Sequence, residues 1–120
     1  MRTHIVGHQG RLGSVVAENF AARGDFLTVL SNSGGELYRI NYLIFAHRYR
    51  NRTEPPDYAL EMQVNVEHVV KTIEATTFCY GEDCAIVIVS SVSAREPALN
   101  QSIAYNLSKA AQNQIARYYA

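Results

Sequence analysis

Tyr105 and Lys109 stand four residues apart, and on a helix that spacing places a phenol and an ammonium on one face, a turn apart. A cation beside a phenol favours the phenolate, so the pair can give and take a proton nearer neutral pH than a lone tyrosine. Ahead of it an apolar run, Ala85-Ile86-Val87-Ile88-Val89, delivers Ser90 and Ser91. A hydroxyl at the end of a buried strand could complete a proton-handling site. Tyr-x-x-x-Lys is common by itself. The order strand, serine, short loop, Tyr-x-x-x-Lys is much less common.

The elements that must position these groups begin at the N-terminus. Thr3–Val6 is a short β-prone run closed by Gly7. Gly10 and Gly13 follow at three-residue intervals, and apolar residues 12, 15, 16, 20 and 21 then keep near-helical spacing. Gly24 and Asp25 end that helix, and Phe26–Leu30 reads as a second strand. Strand, glycine turn, helix, strand is the opening of a βαβ unit. Glycines let the backbone approach a ligand closely, and the helix N-terminus offers free N–H groups to a pyrophosphate. The bland alternative is a turn that merely joins strand to helix. Where a ribose-binding acid often stands, the second strand leads into Ser31-Asn32-Ser33. With Arg11 inside the glycine turn, that suits a 2′-phosphate better than two free hydroxyls, so NADP is favoured over NAD. Arg11 reads equally well as a solvent-facing helix-start residue.

Gly34–Arg39 reads as a short polar link and residues 41–47 as a third, mostly buried strand. Arg48–Arg52 is a basic cluster, more simply a solvated loop than an anion contact. Asp57 is the natural N-cap of a helix spanning about Tyr58–Phe78, whose stripe is Val66, Val69, Val70 and Ile73. Asn65 falls among its valines, and periodicity alone places it on the polar side. A strand at 84–89 and a helix from about Ser102 complete the chain.

The whole chain has 120 residues, no formal net charge and 48% apolar residues. That means at most one domain, here 1–120, and argues against a charge-driven nucleic-acid binder. No apolar run is long enough to span a bilayer, and the N-terminus has no secretory core. Cys79 and Cys84 fit neither a redox motif nor a zinc set, and no metal site is expected. A cytoplasmic protein with reduced thiols is the expectation.

Val6-Gly7-His8-Gln9-Gly10-Arg11-Leu12-Gly13, Val64-Asn65-Val66, Val89-Ser90-Ser91 and Tyr105-Asn106-Leu107-Ser108-Lys109, in that order, resemble the short-chain dehydrogenase/reductase family. The resemblance implies an α/β, Rossmann-like doubly wound parallel sheet, with about four strands present and helices on both faces. It implies NAD(P)-dependent hydride transfer between nicotinamide and a small carbonyl or alcohol. It makes Tyr105 the general acid/base and Lys109 the residue that binds the nicotinamide ribose and lowers the tyrosine pKa. Ser91 becomes the serine on the substrate oxygen, and Asn65 the holder of a relay water, which reverses its placement on a polar surface. The Ser91-to-Tyr105 gap is one residue longer than the family's usual one, so Ser90 and Ser93 stay open. The cofactor contacts it implies are Gly7, Gly10, Arg11, Leu12, Gly13, Ser31, Asn32, Ala46, Tyr105 and Lys109. It further implies a homodimer or homotetramer built on the helices of Asn65 and Tyr105.

The chain departs from the family at Phe45-Ala46-His47-Arg48, in the short link between strands two and three, and in lacking the strands that follow the Tyr105 helix. A link that short cannot cross between parallel neighbours comfortably. Residues missing from it are therefore expected, with the numbering running on. Two alternatives are a nucleotide-binding scaffold without turnover and, from the Gly-x-x-Gly-x-x-Gly spacing, nucleotide-sugar epimerase or dehydratase chemistry.

Overall fold

The computed structural model describes residues 1–24, 26–28, 37–47, 57–79 and 83–120. They form two compact units, Met1–His47 with Thr72–Val89, and Arg48–Lys71 with Ser90–Ala120.

The first unit is built on a parallel sheet. Its strands are β1 (Arg2–Val6), β2 (Phe26–Thr28), β4 (Tyr42–Phe45) and β6 (Ala85–Ile88), in the order β2-β1-β4-β6. β1 registers Thr3 on Leu27 and on Tyr42, and β4 registers Ile44 on Val87. β1 and β4 lie inside the sheet and are buried on successive residues. Ile5, Leu43, Ile44 and Phe45 are all buried, as are Thr3 and His4. Such unbroken burial belongs to strands covered on both faces. The helix α1 (Arg11–Ala22) connects β1 to β2, which makes the expected βαβ unit.

Asn41 fastens the N-terminal ends of three strands. Its main-chain N–H donates to the Arg2 carbonyl at 2.8 Å, and its Oδ1 accepts from the Arg2 N–H at 2.9 Å. Its carbonyl accepts from the Ala85 N–H at 2.9 Å, and its Nδ2 donates to the Asp83 carbonyl at 3.2 Å. One buried residue thus sets the register of β1, β4 and β6 at a point where two ladders start.

Three sequence expectations are corrected. The polar link contains a strand, β3 (Leu37–Ile40), which pairs in parallel with β5 (Thr76–Phe78) as a separate two-stranded sheet. Their register slips between Tyr38 and Ile40, where Arg39 takes a left-handed φ of 54°. The helix expected to reach Phe78 therefore ends at Ala75, because Thr76 and Thr77 are β-branched and Thr76–Phe78 pair as a strand. The main parallel sheet has the four strands expected, and β3 and β5 stand apart from it as a separate pair. β6 is also less buried than its sequence suggests: Ala85 and Val87 are exposed, since β6 has a partner on one side only among the described residues. Residues 31–36 and 48–56, which hold the first half of the short link and the basic cluster, lie outside the described residues.

The second unit is helical. It contains α2 (Tyr58–Met62), a π turn (Gln63–Glu67), the first residues of α3 (His68–Ala75), a 3₁₀ turn (Val92–Ala94) and α4 (Ile103–Tyr118). Asp57 caps α2 as expected, its Oδ1 accepting from the Leu60 N–H at 3.0 Å. Ser102 caps α4, its Oγ accepting from the Tyr105 N–H at 3.0 Å. α4 packs against α2, the π turn and the 3₁₀ turn.

Candidate functional site

The residues singled out by sequence divide between the two units. Gly7, Gly10, Arg11, Leu12, Gly13 and Ala46 belong to the first, and Asn65, Ser91, Tyr105 and Lys109 to the second. Ser31 and Asn32 lie outside the described residues.

In the first unit the chain leaves β1 at Gly7 with φ of 86° and turns directly over the end of β4. A Cβ on Gly7 would lie 2.6 Å from both the N and Cα of His47. Gly13, in the first turn of α1, is buried against the same loop: its Cβ would come within 1.9 Å of the Gly7 carbonyl oxygen. Both contacts are with backbone, so no side-chain shift relieves them. Gly10 is the N-cap and ties the turn, its N–H donating to the Gly7 carbonyl at 3.0 Å.

No side chain caps α1, and its first turn holds no acid. The N–H groups at Arg11, Leu12 and Gly13 thus open a helix with a positive dipole end and no acid in its own first turn. Arg11 and Leu12 are exposed. Ala46 follows β4, its N–H donating to the Val6 carbonyl at 2.9 Å. β1 and β4 are the neighbours between which strand order reverses, and their carboxyl ends form the crevice where open α/β sheets take ligands. A cradle that any Cβ would fill, at the switch point and at a helix N-terminus, fits the pyrophosphate of a dinucleotide.

The second unit collects the side chains. Tyr105 and Lys109 are both buried, at 6% and 5% exposure, and Lys109 Nζ lies 5.8 Å from the centre of the Tyr105 ring. The phenol and ammonium do share a face of α4. Asn65 is 2% exposed, so the polar-surface placement from periodicity is overturned and the buried one stands. It sits in the π turn, where the His68 N–H reaches back five residues to the Gln63 carbonyl. That extra residue per turn shifts the helical phase, which is why a 3.6-residue stripe misplaced Asn65. π turns recur at functional sites.

Ser91 caps the 3₁₀ turn. Its Oγ accepts from the Ser93 N–H at 3.2 Å and donates to Ser93 Oγ at 3.1 Å. Ser93 is buried and Ser91 half-buried. Two hydroxyls sharing one mutual bond keep one hydrogen to spare for an acceptor outside the pair. Ser90 Oγ is also buried, without a hydrogen-bond partner among the described residues. α4 packs on the 3₁₀ turn that carries Ser93.

Two residues of this unit were missed by sequence reasoning. Glu61 is buried at 2% exposure and accepts from Ser102 Oγ at 2.5 Å, so the cap of α4 is itself held by a carboxylate of α2. Gln112, 1% exposed, accepts from Lys109 Nζ at 3.1 Å and donates from Nε2 to the Asn65 carbonyl at 2.8 Å. Gln112 falls three residues after Lys109 and seven after Tyr105, so it shares their helix face. A polar amide on that face was the available signal.

Neither protein-family models nor curated protein sequences match the chain. Solved structures do. A short-chain dehydrogenase/reductase superfamily protein from Agrobacterium tumefaciens with bound NAD is 17% identical, with a TM-score of 0.75 over 99% of this chain and 45% of that one. UDP-N-acetylglucosamine 4-epimerase from Bacillus cereus is 21% identical, with a TM-score of 0.68 over 99% of this chain and 55% of that one. BdcA in complex with NADPH is 14% identical, with a TM-score of 0.69 over 99% of this chain and 63% of that one. The chain thus spans about half to three-fifths of each of these proteins. At these identities the likeness establishes the fold: this chain has the Rossmann-like α/β fold of short-chain dehydrogenase/reductase structures. No described helix is long and apolar enough to cross a membrane.

Proposed function

We propose that the chain belongs to the short-chain dehydrogenase/reductase family and carries the proton-transfer half of an NAD(P)-dependent oxidoreductase. The observation that carries this reading is the burial of Tyr105, Lys109 and Asn65 in one unit, with the ammonium over the phenol ring. Burying a lysine is costly and needs a purpose or partners.

The glycine turn of the first unit would hold the dinucleotide through the N–H groups of α1, with Gly7 and Gly13 keeping the backbone clear. When bound, the nicotinamide supplies or accepts the hydride. In reduction, Tyr105 Oη gives its proton to the carbonyl oxygen as the carbonyl carbon gains hydride, and the product is the alcohol. In oxidation Tyr105 takes that proton back. The Lys109 cation offsets the negative charge left on Tyr105. The Ser91–Ser93 pair has a hydroxyl hydrogen with which to orient the substrate oxygen.

The exposed Arg11 at the start of α1 favours a 2′-phosphorylated cofactor. The reading extends to a homodimer or homotetramer through the helices of Asn65 and Tyr105, and to a cytoplasmic setting. Tyr105→Phe tests the assignment: turnover of a carbonyl panel with NADPH or NADH falls about 10²- to 10⁴-fold. Retained turnover would refute it.

A second reading keeps the same groups. The Gly-x-x-Gly-x-x-Gly spacing and the likeness to an epimerase favour nucleotide-sugar epimerase or dehydratase chemistry. A purified protein that keeps its dinucleotide through turnover, and acts on a nucleotide sugar without net cofactor consumption, would select it.

A further inference from the structure

Gln112 is almost fully buried, and both ends of its amide are engaged. Its oxygen accepts from the Lys109 ammonium at 3.1 Å, and its nitrogen donates to the main-chain carbonyl of Asn65 at 2.8 Å. The first contact lies within one turn of α4. The second crosses to the π turn, 47 residues away in sequence. The Asn65 carbonyl lies in the π turn at Gln63–Glu67, and Gln112 donates to it from a second helix.

The residue type matters at both ends. Joining an ammonium to a carbonyl through one side chain requires an acceptor at one atom and a donor at the other, which a neutral amide provides. Glutamate at this position could accept from Lys109 but would set a second acceptor against the Asn65 carbonyl. Leucine would fill similar space and serve neither end.

We propose that Gln112 is a positioning residue that ties the Lys109 ammonium to the Asn65 turn and so fixes the cation beside Tyr105. Its consequence for catalysis rests on the oxidoreductase reading above; the tie itself does not. Lysine is a flexible point charge with three rotatable donors, and burial alone does not choose among its rotamers. A short bond to a side chain that is itself anchored on a second helix does. The amide transmits orientation, not protons, because passing one through it would require an imidic tautomer. Gln112 therefore acts through Lys109 and touches no reacting atom.

The test uses the full-length protein and two independent readouts. The first needs no cofactor: hydrogen exchange at lysine side-chain ammonium groups, followed by NMR with ¹⁵N-labelled lysine. The Lys109 signal is identified by its loss in Lys109→Arg, and the exposed Lys71 serves as reference. In the wild type the Lys109 hydrogens exchange at least about tenfold more slowly than those of Lys71. Gln112→Leu removes that protection, and Gln112→Glu, which keeps the acceptor for Lys109 but loses the donor to the Asn65 carbonyl, retains it only in part.

The second readout is steady-state turnover. Gln112→Leu lowers kcat on the order of 10²-fold, as expected when a charged group is misplaced by about an ångström. KM for the carbonyl substrate stays within about threefold, and Gln112→Glu, no longer anchored on the Asn65 turn, recovers only part of the lost kcat. Wild-type Lys109 exchanging as fast as Lys71 would overturn the tie. Gln112→Leu with kcat within about twofold of wild type would overturn the positioning role. Should Gln112→Leu fold poorly, the wild-type exchange rate decides the contact and Gln112→Glu decides the function. Failure of the oxidoreductase reading shows elsewhere, as turnover surviving in Tyr105→Phe, and leaves the exchange result standing.

Discussion

The glycine turn and the tyrosine helix make their sites in opposite ways. At Gly7 and Gly13 the site is made by what is missing. The backbone of the turn, of α1 and of the β4 end approach so closely that a Cβ would strike main-chain atoms at 1.9 to 2.6 Å. At Tyr105 the site is made by side chains that fill space. Tyr105, Lys109, Asn65 and Gln112 are all buried, and their polar atoms must be satisfied within the unit. The first kind of site binds with main-chain N–H groups and tolerates almost any neighbour but no added carbon. The second, which does the chemistry in the proposed reading, tolerates a change of shape better than the loss of a partner.

Substitutions separate the two kinds. The largest effect belongs to Tyr105→Phe, which removes one oxygen from a well-packed ring. Turnover falls about 10²- to 10⁴-fold while the melting temperature hardly moves. Gly13→Ala should do the reverse, acting on structure and binding first. Its methyl meets the Gly7 carbonyl, so the loop must shift. Stability drops about 1–3 kcal/mol by denaturant unfolding. Affinity for NADH and NADPH, measured by titration, drops about 100-fold or more, worth about 2.7 kcal/mol. A Gly13→Ala protein with wild-type affinity would break the distinction.

Ser102→Ala probes how far the side-chain site depends on its supports. It removes the cap of α4 and one partner of the buried Glu61 carboxylate, and should cost about 2 kcal/mol of unfolding free energy. A loss no greater than that of an exposed serine would show that the carboxylate is satisfied elsewhere.

The smallest effect is on the far side of the π turn. The Glu67–Lys71 ion pair is 2.7 Å long but exposed. The hydrogen bond and charge of Lys71 hold the Glu67 carboxyl below its ordinary range. A depressed carboxylate contributes stability above its unfolded pKa and loses it as pH falls through the folded value. Glu67→Gln should therefore match wild type in acid and fall behind near neutrality by a margin that salt erases. A large neutral-pH loss in denaturation midpoint would mean that the pair does more than an exposed pair can.

The two sites were not equally legible in the sequence. Glycines at three-residue intervals between a β-prone run and a helical stripe exposed the first, because each constraint there is local. Tyr105 and Lys109 were legible for the same reason, being four apart on one helix with Ser102 at its start. What escaped notice depends on distant pairing. β3 and β5 are strands of four and three residues that exist by pairing with each other, and Thr76–Phe78 continues a helical pattern until that partner is known. Asn65 was misplaced by periodicity because the π turn inserts a residue into the stripe. Gln112 and Glu61 read as ordinary polar residues of surface helices, since nothing local shows that their faces are buried against a neighbour.

Whether proton transfer and dinucleotide binding can be separated is measured most directly by taking both from one variant. Full-length Tyr105→Phe is titrated with NADPH and NADH and then assayed for carbonyl reduction. The account predicts dinucleotide affinity within about tenfold of wild type, together with turnover lowered at least about 10²-fold. Turnover near wild type, with affinity intact, would contradict it.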